Sequence, residues 1–300
     1  MAAGAPLDVA NDRWGNCIGM TVEVFPTGAG LGAEITGVDL SQPLEDAIFT
    51  EIETAFDKHG VIIFRGQKIT PTQQVNFSSH FGECAINHNA ADFGIDGSPE
   101  IYLISNIVEN ERFIGTPKAG PEWHTDMSYA KVPARATMLH AIEVPEIEGL
   151  PLGDTEFANT AAAWDALPET MQHRITDLKG VFDFQGRKRG RPISPETIAQ
   201  YPPIEHPIVR THPRNGRKGL YVMRNDCTGI VGLNNDEALS LIGALADHIT
   251  RPEFVYRHRW RVGDVVVWDN CTAQHKAIQD YNLPQRRLMW RTTVKGTVPF

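Results

Sequence analysis

The chain has 300 residues, 41% hydrophobic and 22% charged, with a net charge of −9 at pH 7. Such an acidic chain lacks the basic face that general nucleic-acid binding needs, and no apolar run approaches the roughly 18 residues that span a bilayer. The opening residues carry no basic or apolar signal region, and Cys17, Cys84, Cys227 and Cys271 form no CxxC pair, so reduced thiols in a cytoplasmic protein are expected.

Residues 1–20 read as an irregular arm, and residues 21–300 as one domain. TVEVF (21–25) has strand character. Gly28-x-Gly30-x-x-Ala33 resembles a dinucleotide fingerprint, but that motif must open a helix, and Glu34 to Val38 favour a strand and turn. Apolar spacing from Leu44 to His59 predicts a helix stopped by Gly60. VIIF (61–64) reads as a buried strand, and Thr70-Pro71-Thr72-Gln73 as a capping box opening a helix through Phe81. IYLIS (101–105) and ATMLHAIEVP (136–145) are further strands, with EWHTDMSY (122–129) between them. Helices are expected around 160–167 and 169–177, parted by Pro168. The Gly-, Pro- and Arg-rich stretch 183–206, with its basic run Arg187-Lys188-Arg189-Gly190-Arg191, predicts a long flexible loop or lid. Strands at 206–213 and 219–223 flank an Asn215-Gly216 turn, and Asn234-x-x-Glu237 opens a helix through Ile249. Strands at 253–260, 264–270 and 286–294 close the chain. The class is mainly β with helices (α+β), a β-sandwich or jelly roll decorated by helices.

On a strand, residues two apart project from one face, so His124 and Asp126 can offer an imidazole nitrogen and a carboxylate oxygen to one metal ion. A second histidine, His275 in WDNCTAQHKA, follows a buried strand and is chosen from 11 in the chain. Strand parity then puts Arg287, Met289, Arg291 and Thr293 on one face and Arg286, Leu288 and Trp290 on the other. Arginines on a barrel-facing strand are costly unless they hold an anion; surface salt bridges are the alternative.

The segments LGAEITGVDL, VIIFRGQKITPTQQ, WHTD, GDTEF, HPIVRTHPRNGRKGLYV, HITRPEF, WDN…QH and DYNLPQRRLMWR, in this order, resemble the taurine dioxygenase/TfdA family of Fe(II)- and 2-oxoglutarate-dependent dioxygenases. The resemblance implies a double-stranded β-helix (jelly roll, cupin-like) core, Fe(II) as cofactor, and 2-oxoglutarate and O2 as cosubstrates. It implies His124, Asp126 and His275 as the two-histidine-one-carboxylate iron ligands, which leave open positions on the metal. Arg287 and Thr155 match the residues that hold 2-oxoglutarate, and Arg291 matches a second active-site arginine, for a substrate anion or in support of 2-oxoglutarate. The segment GECAINHNAADF aligns with a substrate-contacting loop and offers Asn87 or His88; Arg224 and Asp226 in LYVMRND stand where an apolar aromatic is expected near the substrate. These departures point away from taurine and toward another small anionic organic substrate, a sulfonate, carboxylate or amino-acid-like molecule. The implied reaction makes succinate and CO2 and hydroxylates that substrate; desaturation, cyclisation or isonitrile formation share the same iron chemistry. Asp126 occupies the position that a halogenase would give to a small residue. A homo-oligomer, dimer or tetramer, is expected. From other classes, a zinc hydrolase would use the same three ligands with a metal-bound water, and a non-catalytic jelly-roll binding protein would use none of them.

Overall fold

A computed structural model of the chain describes residues 21–87, 90–187 and 193–300. The arm at 1–20, His88 and residues 188–192 of the expected lid lie outside the described residues.

VIIF shows how an uninterrupted apolar run becomes the middle of a layered fold. Strand residues alternate between faces, and in Val61–Phe64 both faces are covered. Ile62 and Phe64 pack under two helices, while Val61 and Ile63 face a second sheet. The strand Val265–Asp269 pairs with it antiparallel and repeats the pattern, Val265 and Val267 on the helical side and Val266 and Trp268 on the other. Phe56, Ile62 and Phe64 are fully buried, worth about 1.5–3 kcal/mol each by area removed from water.

These strands belong to an eight-stranded sheet that also contains Ala134–Glu143, Ser98–Ser105 and Leu288–Lys295. Helices Asp46–His59 and Pro71–His80 cover one face. The first ends at Gly60, whose φ of 68° suits glycine, and the second starts with both halves of the Thr70/Gln73 capping box. Against the other face lies a three-stranded antiparallel sheet of Val255–His258, Thr155–Asn159 and Ala273–Ala277. Phe157 and Ala273 meet Leu139, Met289 and Trp268 between the two sheets. Two sheets packed face to face with helices outside are the expected jelly roll. A further apolar cluster joins the helices Thr160–Asp165 and Asn235–Ile249 to Lys179–Phe182 and Cys227–Ile230. Among the described residues, no helix is long and apolar enough to cross a membrane.

The fold departs from the sequence expectations in three places. Residues 122–129 are not a regular strand: His124 makes one isolated bridge with His275, and Met127, at φ 56°, turns the chain directly after Asp126. The segment 206–213 is split, because Ile204–Pro207 pairs with Lys179–Phe182 while Val209–Thr211 pairs with Lys218–Leu220. Ile208 carries the chain from one ladder to the other: its N–H donates to the Leu178 carbonyl at 3.0 Å and its carbonyl accepts from the Tyr221 N–H at 2.7 Å. Within 183–206, Pro195–Gln200 forms a short helix capped by Ser194.

Candidate active site

His275 lies on its own strand, Ala273–Ala277, at the middle of the smaller sheet's pairing with Thr155–Asn159, and is registered opposite Phe157. Two backbone hydrogen bonds tie it to the 122–128 segment: His124 N–H donates to the His275 carbonyl at 3.0 Å and His275 N–H to the His124 carbonyl at 2.8 Å. The two imidazoles therefore come together, with ring centroids 4.1 Å apart. Asp126 enters between them, Oδ1 3.7 Å from His124 Nε2 and Oδ2 3.8 Å from His275 Nε2. All three are buried, and one donor atom from each lies within 4.8 Å of the others.

The surroundings prepare these atoms as ligands. His124 Nδ1 lies 2.7 Å from the Glu122 carbonyl, which fixes the proton on Nδ1 and leaves Nε2 with its lone pair toward Asp126. Asp126 Oδ2 accepts from Thr137 Oγ1 at 2.7 Å, and Asn270 holds both, accepting from the Asp126 backbone N–H and donating to Thr137. A Cβ on Gly120 would come within 2.7 Å of His124 Cε1, so the histidine ring occupies a cradle that only glycine leaves open. Two nitrogen donors and one carboxylate on one side of a small space are a donor set suited to Fe(II). These residues fit the group.

Electrostatics agree. Burial, reinforced by the positive charge of Arg187, holds the His124 imidazole down to about 3, and burial likewise holds His275 well below the usual histidine range. For Asp126, burial pushes up, but Arg291 and the two imidazoles outweigh it and hold the carboxyl well below its usual range. The site is thus two neutral imidazoles and an ionised carboxylate at neutral pH, the protonation state a metal requires. An unfolded chain protonates its histidines near pH ~6.5, so below that value the unfolded state binds more protons than the folded one. The stability of the metal-free protein should be complete above pH ~6.5 and decline as pH falls toward about 3. Burial also lowers His140, His206 and His258, so all five act in the same direction. Thermal unfolding at a series of pH values checks this; a constant Tm from pH ~7.5 to ~5 would contradict it.

A pocket opens beside the triad, lined by His124, His275, Thr155, Arg287, Arg291 and Leu139 among others. Arg287, 2% exposed, donates through one terminal nitrogen to Tyr281 Oη at 3.1 Å, while its Nε has no protein partner. Thr155 Oγ1 accepts from Trp260 Nε1 at 3.0 Å. Strand parity is borne out by the arginines: Arg286 points outward into a bidentate pair with Glu143, at 2.9 and 3.0 Å, and Arg287 and Arg291 point in. Arg291 shares this pocket and pairs with Asp126 Oδ1 at 2.8 Å.

The other expected contact residues are dispersed. Asn87 precedes the helix Ala90–Phe93 and does not line the pocket. Arg224 turns to helix Asn235–Ile249, where it pairs with Asp247, and lines a separate surface cleft with Glu122 and Lys276. It does not line the pocket beside the triad. Asp226 is buried, but its carboxylate accepts from Ser128 and from Arg187 and does not line the pocket. Sequence reasoning missed Gly120, Thr137, Asn270 and Tyr281. Asn270 and Tyr281 had a signal, in the WDN motif that leads to His275 and the DYN motif that leads to Arg287.

A jelly roll with a buried two-histidine-one-carboxylate cluster and a buried arginine in the adjoining pocket defines the class of non-haem Fe(II)- and 2-oxoglutarate-dependent dioxygenases. The model of the family "Taurine catabolism dioxygenase TauD, TfdA family" matches residues 23–293. The chain belongs to this family. It is 32% identical to an alpha-ketoglutarate-dependent 2,4-dichlorophenoxyacetate dioxygenase of Cupriavidus pinatubonensis, over 91% of this chain and 98% of that protein. It is also 32% identical to an alpha-ketoglutarate-dependent sulfate ester dioxygenase of Pseudomonas putida, over 93% and 91%. Among solved structures, AAD-2 in complex with Mn(II) and N-oxalylglycine superposes with a TM-score of 0.80 at 31% identity, over 93% of this chain and 98% of that one. The chain is a non-haem dioxygenase that uses Fe(II), 2-oxoglutarate and O2.

Proposed function

We propose that the enzyme couples conversion of 2-oxoglutarate and O2 to succinate and CO2 with hydroxylation of a small anionic organic substrate, one oxygen atom going to succinate and the other into a substrate C–H bond. The observation that carries this reading is the buried cluster of His124, Asp126 and His275 opening onto a pocket that ends at Arg287. In this reading the three side chains hold the iron. When bound, iron and 2-oxoglutarate together supply the oxidising power, and the protein supplies position and exclusion of water. Arg287, with Thr155 beside it, receives the distal carboxylate of 2-oxoglutarate; its partnerless Nε and its hydrogen bond to Tyr281 leave a rigid fork for a planar anion. Arg291, in the same pocket and paired to Asp126, supports the iron-proximal end of the cosubstrate.

Charge favours an anionic substrate. A divalent metal with Asp126, Arg287 and Arg291, set against the two carboxylates of 2-oxoglutarate, leaves one positive charge in a buried site, which a monoanion neutralises. The relatives named above act on a phenoxyacetate and on sulfate esters, both anions. Anaerobic reconstitution with Fe(II) and 2-oxoglutarate tests the reading. A weak visible metal-to-ligand band should form, should shift on adding a matching carboxylate, sulfonate or sulfate ester, and should give succinate and hydroxylated product when O2 is admitted. Failure to form the band, or succinate formation insensitive to every anion, would refute it.

A further inference from the structure

Thr155 lines the pocket together with Arg287, but its hydroxyl is not free to choose its role. Trp260 Nε1 donates to Thr155 Oγ1 at 3.0 Å, and both residues are buried. An indole N–H can only donate, whereas a threonine hydroxyl can donate or accept. The Thr155 oxygen is therefore committed as the acceptor on the side of Trp260, and its proton is turned away from the indole. Among the described residues, Thr155 Oγ1 makes no other hydrogen bond.

Trp260 is itself clamped. Its ring meets His258 edge-on, with centroids 4.6 Å apart. Asp264, fully buried, lies 3.1 Å from His258 Nε2 through Oδ2, which also accepts from the Arg261 N–H at 2.9 Å. One carboxylate thus grips the chain on both sides of Trp260. Tyr256 Oη, 3.1 Å from His258 Nδ1, holds the other edge of that imidazole. The clamp stands on the strand next to the hydroxyl it serves, because Thr155 is registered opposite His258. The result is an end of the pocket with one polarity. Arg287 carries donors only, and a Thr155 proton turned to the pocket adds another, which suits a carboxylate that accepts at both oxygens. A hydroxyl that already accepts one hydrogen bond also donates more strongly.

We propose that Trp260 is a positioning residue: it fixes Thr155 as a hydrogen-bond donor and so tunes the pocket for the distal carboxylate of 2-oxoglutarate. The proposal rests on the reading that Thr155 and Arg287 receive that carboxylate. Trp260 acts only through Thr155, so its contribution should vanish when the hydroxyl is absent.

The test is a double-mutant cycle read by anaerobic calorimetry of 2-oxoglutarate binding to the Fe(II)-loaded enzyme. Thr155→Val should weaken binding by about tenfold or more, the loss of a hydrogen bond to a charged group. Trp260→Phe keeps an apolar ring and removes the N–H; it should weaken binding by about two- to tenfold and leave iron content unchanged. Introduced into Thr155→Val, the same substitution should cost nothing more, because no hydroxyl remains to orient. Should Trp260→Phe fail to fold, Trp260→Met, which fills the space with a flexible side chain and has no N–H, is read in the same way. An unchanged affinity in the folded Trp260 variant, or a loss as large in the Thr155→Val background as in wild type, would mean that Trp260 only fills the core, and overturns the proposal. If Thr155→Val itself leaves 2-oxoglutarate affinity unchanged, the reading of the pocket fails, and the inference with it.

Discussion

Arg287→Ala is expected to raise the 2-oxoglutarate concentration needed for half-saturation by roughly a factor of 10² to 10³, while iron still binds. Arg287 is buried, its backbone N–H is pinned to Asn106 Oδ1 at 2.8 Å, and its guanidinium is held by Tyr281. Its removal would leave the distal carboxylate of 2-oxoglutarate desolvated with no cation opposite. Stranding one partner of a buried pair costs about 3–5 kcal/mol, which converts to that loss of affinity. Lysine should recover only part of it, because a point charge does not reproduce the planar fork. The measurement is anaerobic titration of 2-oxoglutarate against the metal-to-ligand band, with iron content determined separately. An unchanged 2-oxoglutarate affinity would remove Arg287 from the site; loss of iron together with 2-oxoglutarate would show a structural role.

The second large effect is expected at Asp126. Asp126→Ala should weaken Fe(II) binding by more than about a hundredfold, beyond the 10- to 100-fold typical of losing a group that merely orients a ligand. The carboxylate is the sole anion among the three candidate ligands, and it also balances Arg291, 2.8 Å away. Its loss takes away a donor and leaves that guanidinium to repel the metal. Thr137→Val removes the hydroxyl that steadies Asp126 Oδ2, at 2.7 Å, but no donor, and should fall within the smaller range. Anaerobic metal titration of the two variants separates these roles. Equal, small losses in both would mean that Asp126 is not an iron ligand.

Much of the architecture was legible because it depends on local chemistry. Period-two alternation is a property of the strand backbone, so parity alone sorted Arg287 and Arg291 from Arg286. Thr70 and Gln73 announced a helix start because each satisfies the other's backbone, and Gly60 announced an end because its left-handed φ is cheap only without a Cβ. The candidate ligands were legible for a similar reason. Histidine, aspartate and arginine have few affordable reasons to sit in buried segments, so their presence there carries information.

What the chain alone pointed to was therefore the kind of chemistry: a mainly β fold, two histidines and a carboxylate within reach of one metal ion, and an inward-facing arginine. The tertiary structure decided which groups surround them. Arg224 and Asp226 are near neighbours in sequence, yet the first leaves for Asp247 on a helix and the second is drawn under Ser128 and Arg187. Gly120 proved to be the cradle of His124, and Asn270 the clasp on Asp126 and Thr137. Such contacts join segments far apart along the chain. Their distances follow from how two sheets pack and where one turn at Met127 sends the backbone, and no local propensity encodes either.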